Sequence, residues 1–155
     1  SFEYDFFFSE VDHFSLVANY RTRSKWILNL NLDYRYSPVL SVQNALQGQT
    51  VTTLDELLAS FSEDEIYDLA RDRTARNQTI FLGASYSIDI NRLVSLNASW
   101  SRTEATRASG GVEANPEANE LQLSADYSFK GWLKSDDFAT WGIRLSDSDT
   151  TSVIS

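Results

Sequence analysis

Strict two-residue alternation from Trp26 to Tyr36 is the feature that most constrains how this chain folds. Apolar or aromatic side chains fill every even position, and the odd positions are mostly polar. A period of two predicts a β-strand with one apolar and one polar face. The length of the segment, its aromatic ends and its leucine-rich centre favour a strand that crosses a bilayer. A soluble antiparallel sheet also produces such alternation.

The same alternation predicts further antiparallel strands on both sides of this segment. We expect an all-β, up-and-down transmembrane β-barrel with about eight visible strands, and residues 1–155 form one barrel domain or a fragment of one. The predicted order places a strand in Ser1–Ser9 and a turn at Glu10–His13. After residue 77, strands start near Thr79, Val94, Leu121 and Ala139, followed by a turn at Asp147–Asp149 and the beginning of another strand at Thr150–Ser155.

Residues 41–77 interrupt the strands, and within them the apolar period changes to that of a helix. Thr53 and Ser62 are each followed three residues later by glutamate, which is the pattern of a capping box. The sequence therefore predicts a two-helix insertion at about 54–74, with helices at roughly 54–60 and 63–74. One interpretation is an ordered cap or plug over a barrel mouth, and the other is a helical loop without a function.

The connections predicted after the second, fourth and sixth strands are short or moderate, and those after the third and fifth strands are long. Outer-membrane barrels show this asymmetry, with short periplasmic turns and long external loops. The aromatic side chains also fall at two depths. One group comprises Tyr20, Trp26, Tyr86, Phe129 and Phe138, and the other comprises Tyr34, Tyr36 and Trp100. Two aromatic girdles are the arrangement expected at the two surfaces of a membrane.

Composition excludes several classes of function. A net charge of −9 argues against a nucleic-acid partner, which requires a basic surface. The absence of cysteine excludes thiolate metal sites and disulfides. No apolar run is long enough for a transmembrane helix, and the lack of Met and of a signal peptide predicts a mature, processed or fragmentary chain. No nucleophile elbow or phosphate-binding glycine loop occurs, so we expect no enzymatic activity and no cofactor.

His13 is the single histidine of the chain. Together with Asp12 and Asp5 it suggests an acid–base arrangement at the outer rim, and the alternative is a solvated histidine in a turn. The acidic runs at 63–65 and 147–149 lack the spacing of a calcium loop, which favours solvated or helix-capping roles. We therefore expect no catalytic and no metal-binding residues.

The polar face of the predicted strands is the candidate site. We expect its side chains to line a polar, mixed-charge lumen whose fixed charges tune selectivity. Alternatively, charges of both signs neutralise one another and fill a small barrel. The candidate lumen residues are Asp5, Asn19, Arg21, Asn29, Asn31, Asp33, Arg35, Arg102, Asp126 and Arg144.

These alternating segments resemble bacterial outer-membrane β-barrel proteins. The segments SEDEIYDLARDRTA and ASGGVEANP are also similar to the C-terminal barrel half of larger proteobacterial envelope proteins with tetratricopeptide repeats upstream, which resemble polysaccharide-export components. The absence of a terminal aromatic residue predicts part of a larger barrel, because such a residue is common in these proteins.

The resemblance implies a location in the Gram-negative outer membrane and a porin-like transport function as a channel or export conduit. The implied partners are outer-membrane lipid and, through residues 41–77 or 103–119, other envelope proteins. One alternative is a non-conducting barrel that anchors the envelope or binds a partner. A third interpretation is a soluble β-rich domain that binds ligands.

Overall fold

Seven antiparallel strands form one sheet in this protein. A computed structural model describes residues 1–5, 8, 10–38, 41–107, 113–131, 134 and 137–151, without the side chains of residues 5, 10, 150 and 151. Within this part of the chain each strand pairs only with its sequence neighbours, which leaves an open sheet with the first and last strands at its edges. The strands are β1 (Phe2–Asp5), β2 (Glu10–Arg21), β3 (Trp26–Ser37), β4 (Ala75–Ser87), β5 (Arg92–Thr103), β6 (Glu117–Lys130) and β7 (Phe138–Thr151).

The predicted antiparallel order is therefore confirmed in a mostly β fold, and the connections after β2 to β6 sort by length as expected. The short connections 22–25 and 88–91 and the moderate connection 131–137 lie at one end of the sheet. The long connections 38–74 and 104–116 lie at the other end. The connection 104–116 is shorter than the predicted loop 103–119, because β6 begins at Glu117, and its residues 108–112 lie outside the described part.

The turn predicted at Glu10–His13 is wrong, because β2 already begins at Glu10. Glu3 pairs with His13 while Tyr4 pairs with Val11, so one residue of β2 has no partner in β1. This extra residue is a β-bulge, which shifts the alternation by one position. The prediction relied on unbroken alternation and therefore mistook a bulged strand for a turn.

The turn predicted at Asp147–Asp149 is also wrong. Asp147 pairs with Leu121 and Asp149 pairs with Asn119, so both aspartates belong to β7. β7 lies at an edge of the described sheet, where polar and charged side chains are tolerated in strands. The described sheet accordingly has seven strands rather than about eight. The additional strand predicted at Thr150–Ser155 begins with the last residues of β7, and residues 152–155 lie outside the described part.

The insertion between β3 and β4 contains the two predicted helices. They are α1 (Leu54–Leu58) and α2 (Glu63–Asp72), both shorter than expected, and a 3₁₀ helix at Val42–Leu46 precedes them. The Ser62 hydroxyl accepts a hydrogen bond from the Glu65 N–H, and the Glu65 carboxylate accepts one from the Ser62 N–H at 2.8 Å. This reciprocal pair is a complete capping box. No helix in the described residues is long and apolar enough to cross a bilayer.

The buried hydrophobic core lies among these helices rather than on the sheet. Ala45, Leu57, Ile66 and Ala70 are almost fully buried, and they form one cluster with Phe8 and Tyr36. The Arg71 guanidinium donates to the Phe8 carbonyl at 3.2 Å and lies 5.7 Å from the centre of its ring. The insertion is therefore an ordered unit that is attached to the end of the sheet.

Candidate functional site

The strand register divides the sheet into two faces of different chemistry, because directly paired residues of an antiparallel sheet share a face. We call them the polar face and the apolar face. The central row of the polar face crosses the sheet from β2 to β7. It consists of Asn19, Asn29, Gly83, Asn97, Ser124 and Arg144.

The apolar face carries mainly aliphatic rows, which also contain Tyr20, Trp100 and Asp147, between two outer rows with aromatic side chains. Its central aliphatic row consists of Ala18, Leu30, Leu82, Ala98, Leu123 and Leu145. Towards the short connections lies a row that consists of Trp26, Tyr86, Val94, Tyr127 and Trp141, in which the first two rings are 4.9 Å apart. Towards the insertion, Phe14 pairs with Tyr34.

The register changes two details of the predicted girdles. Tyr127 and Trp141 belong to the row near the short connections although the prediction omitted them. Phe138 pairs with Lys130, which places it on the polar face. Its predicted membership in a girdle is therefore wrong, because depth along a strand does not determine the face.

On β6 the apolar side chains are more exposed than the polar ones, which is the reverse of the order in a soluble sheet. Leu121, Leu123, Ala125 and Tyr127 on the apolar face are exposed, whereas Gln122, Ser124, Asp126 and Ser128 on the polar face are half-buried. The insertion contacts the sheet at its end, through Tyr36 of β3, so we attribute the shielding of the polar face to side chains of neighbouring strands. We infer that the sheet curves here with its polar face on the inner side.

The centre of the polar face shows this convergence directly. A Cβ atom at Gly83 would lie 3.2 Å from the Asn97 Oδ1 and 3.4 Å from the Asn29 Nδ2. The two amide side chains therefore lean over the glycine from both neighbouring strands. The Asn97 amide also donates to the Ser124 Oγ at 3.2 Å, so hydrogen bonds connect β5 to β6 across this face.

Charged side chains of both signs lie towards the insertion end of the same face. The Asp33 carboxylate lies between two groups: its Oδ2 is 3.4 Å from the His13 Nε2 and its Oδ1 is 3.4 Å from the Arg35 Nε. Gln122 donates to the Glu120 carboxylate on the same strand. In the described part of the chain, no three histidine, aspartate or glutamate side chains are close enough to share a metal ion.

Most predicted lumen residues do lie on one face. The register places Asn19, Arg21, Asn29, Asn31, Asp33, Arg35, Asp126 and Arg144 together on the polar face. Asp5 pairs with Glu10, and its side chain lies outside the described part.

The position predicted for Arg102 is wrong. Arg102 pairs with Gln78, and Gln78 pairs with Tyr34 of the apolar face. β5 continues without a bulge beyond Trp100, so Arg102 keeps the face of that tryptophan. Its Nε lies 2.9 Å from the Glu117 carboxylate, which places this ion pair at the rim of the apolar face.

Sequence reasoning missed two residues of the polar face. His13 was assigned to a turn, although it is a strand residue that contacts Asp33. Gly83 was not among the predicted site residues. Its place between two asparagines follows from the pairing of β3, β4 and β5, and no local sequence signal shows that pairing.

A groove crosses the middle of the apolar face, with a volume of about 710 Å³. Alanines at positions 18, 84, 98 and 125 leave the space, and leucines on either side form its walls. The groove is open to solvent, and its lining also includes Tyr20 and the polar-face residues Asn29, Gly83, Asn97 and Ser124.

The insertion is attached on the apolar side of the sheet end. Tyr36, which belongs to its buried cluster, is on the apolar face, and its hydroxyl accepts a hydrogen bond from the Arg76 Nε at 2.8 Å. The Asp72 carbonyl accepts a hydrogen bond from the Arg107 N–H at 3.2 Å, which joins the insertion to the connection between β5 and β6. The contact with Phe8 adds the connection between β1 and β2.

Comparison of the chain with protein-family models, with curated proteins and with solved structures gives no match.

Proposed function

We propose that this sheet is part of the wall of a transmembrane β-barrel in a bacterial outer membrane, with the polar face lining an aqueous passage for ions or small polar solutes. One observation carries the proposal. The register aligns mainly aliphatic rows across the sheet between two outer rows that contain aromatic rings, and this band lies on the more exposed face of β6. A lipid-facing barrel surface has this order of side chains.

The dimensions of the band agree with a bilayer. Trp26 and Tyr34 belong to the two aromatic-containing rows and are eight residues apart on β3. At about 3.4 Å per residue they are separated by roughly 27 Å along the strand. With a strand tilt of about 40°, this corresponds to roughly 20 Å of membrane thickness, close to the apolar band of known barrels.

Exposure of the apolar side chains also supports a lipid environment. Leu82, Leu96, Ile143 and Leu145 are 48–69% exposed. Soluble monomers rarely expose contiguous apolar patches larger than a few hundred Å². Lipid removes this surface from water without another protein layer, which favours the membrane proposal over a soluble ligand-binding domain.

A barrel of this kind requires closure, because lipid offers no hydrogen-bond partners to unpaired backbone groups. β7 spans Phe138–Thr151 whereas β1 spans only Phe2–Asp5. Pairing of these two edges alone would leave most of β7 unpaired. The proposed barrel therefore needs further strand pairing along β7, which widens the interior beyond that of a closed seven-stranded sheet.

The ordered insertion favours a second candidate function, a non-conducting barrel that binds an envelope partner or anchors the envelope. The insertion has its own buried cluster and complete helix caps. An ordered unit at the external rim provides a rigid surface for a partner protein. Conductance in planar bilayers separates the two candidates, since only the first predicts discrete current steps.

Separate arginine substitutions at two adjacent residues of β3 test the assignment of faces. We expect Leu30→Arg to impair assembly by about 2–4 kcal/mol, because Leu30 would face lipid near the middle of the bilayer. Asn31→Arg should have a mild effect, because Asn31 faces the polar interior. Folding into detergent micelles or vesicles, followed by heat-modifiable gel migration, measures both. Equal tolerance at the two positions, or a chain that stays monomeric in water without detergent, would contradict the proposal.

A further inference from the structure

We propose that His13, Asp33 and Arg35 form a pH-dependent selectivity site at the rim of the polar face, and this inference rests on the proposed passage along that face. The three side chains belong to two paired strands, since His13 pairs with Arg35 and Ser15 with Asp33. The Asp33 carboxylate contacts both basic groups at 3.4 Å. All three lie towards the end of the sheet that carries the insertion.

The charge of this cluster depends on the protonation of one ring. With His13 neutral, Asp33 and Arg35 compensate each other, and the cluster has no net charge. With His13 protonated, the cluster carries one positive charge. The His13 Nε2 lies opposite the Asp33 Oδ2, from where a protonated nitrogen donates to the carboxylate. Side-chain exposures of 28% for His13 and 30% for Asp33 leave both within reach of water and of passing ions.

The groups around His13 are consistent with such a switch. From β1, Glu3 is its direct partner, and the amino group of Ser1 donates to the carbonyl of Ser15. Asp12 is the neighbouring residue on the bulge of β2. The side chains of Asp5 and Glu10, farther along the same edge, lie outside the described part. His13 therefore lies next to carboxylate-bearing residues of β1 and β2 as well as to Asp33 of β3.

Histidine is the side chain whose ordinary charge change falls between pH 5 and 8. His13 is the only histidine of the chain. A change of selectivity in this range can therefore be assigned to one residue. Fixed charges that line a pore tune its selectivity, so one additional positive charge at the rim favours anions over cations.

The test measures reversal potentials across planar bilayers under a salt gradient at pH 8 and pH 5. We expect the wild-type channel to shift towards anions at pH 5, and His13→Gln to abolish this pH-dependent shift. Asp33→Asn should move selectivity towards anions at both pH values and retain the pH-dependent shift. An undiminished shift in His13→Gln would overturn the inference and leave the proposed channel intact.

A second measurement decides the case in which no current is observed, an outcome that contradicts the channel itself. The denaturant midpoints of the wild type, of His13→Gln, of Asp33→Asn and of the double variant give the coupling between the two positions. We expect a larger coupling at pH 5, where the imidazolium is paired with the carboxylate, than at pH 8. Equal coupling at both pH values would overturn the pairing on which the inference depends.

Discussion

Gly83 shows how a single residue shapes the centre of the polar face. Asn29 and Asn97 approach it from the two neighbouring strands, and the Phe81 ring lies 3.3 Å from where a Cβ would stand. A side chain at this position must displace ends of flexible neighbours rather than backbone. The size of the substituent therefore decides its effect.

A graded series at Gly83 measures the space on this face. We expect Gly83→Ala to be nearly neutral. Replacing glycine within a strand stabilises the folded protein by roughly 0.5–1 kcal/mol, and the cost of small shifts of the two asparagine amides offsets this stabilisation. Gly83→Leu should destabilise the assembled protein by about 1–3 kcal/mol through overpacking. The midpoint of urea unfolding in detergent reports both effects. Ser99→Leu is the control, because Ser99 is on the same face but is not a glycine. A loss of stability in Ser99→Leu as large as that in Gly83→Leu would contradict this explanation.

Arg102 and His13 mark where residue-level prediction failed. The face of Arg102 could have been predicted from Trp100, two positions earlier. Residues two apart in a strand share a face, and no glycine or proline between them indicates a bulge. His13 has the face of Ser15 and pairs regularly with Arg35, but the bulge at the neighbouring Asp12 led to the prediction of a turn at this point. A bulge follows from pairing between strands, which the sequence of either strand alone does not specify.

Among the elements, α2 was the most predictable because its signals are local. Ser62 and Glu65 are three residues apart and satisfy each other's backbone donors. Hydrogen bonds from the Ser62 backbone and from its hydroxyl lower the pKa of Glu65 below its usual value of 4.5. The preceding 3₁₀ helix was missed because its five residues are too few to show a helical period.

The cap of α2 gives a prediction for stability and for pH. Ser62→Ala should destabilise the insertion by about 1 kcal/mol, because it removes the side-chain acceptor of the Glu65 N–H. Since folding lowers the pKa of Glu65, the carboxylate contributes stability above its ordinary pKa, and this contribution is lost as the pH falls below about 4.5. Hydrogen exchange of α2 amides at pH 7 and at pH 4 measures both.

The matched control for the cap is Ser60→Ala, which removes a nearby hydroxyl outside the capping box. We expect no change of exchange rates in that variant. The pH effect should disappear in Glu65→Gln, which retains an acceptor but no titrating group. A pH effect of unchanged size in Glu65→Gln would refute the assignment to this carboxylate.

At the scale of the whole molecule, the two faces and the buried cluster were not equally predictable. Alternation in segments such as Trp26–Tyr36 predicts strands and their faces because the period of side chains in a strand is fixed. Alternation alone does not show that the central aliphatic row joins Leu30 to Leu82, Leu123 and Leu145, because the register depends on pairing across the sheet. The attachment of the insertion through Tyr36 was likewise hidden, because the contact joins elements that are distant along the chain.

The environment of the two faces can be tested with the whole chain, because it contains no cysteine and any introduced thiol is unique. Ser124 and Leu123 are neighbours on β6 that face opposite sides. In protein inserted into vesicles, a charged, water-soluble maleimide should label Ser124→Cys rapidly and Leu123→Cys very slowly. A lipid-soluble maleimide should label Leu123→Cys efficiently. Equal labelling of both variants by the charged reagent would show that water reaches both faces, and the membrane proposal would then fail.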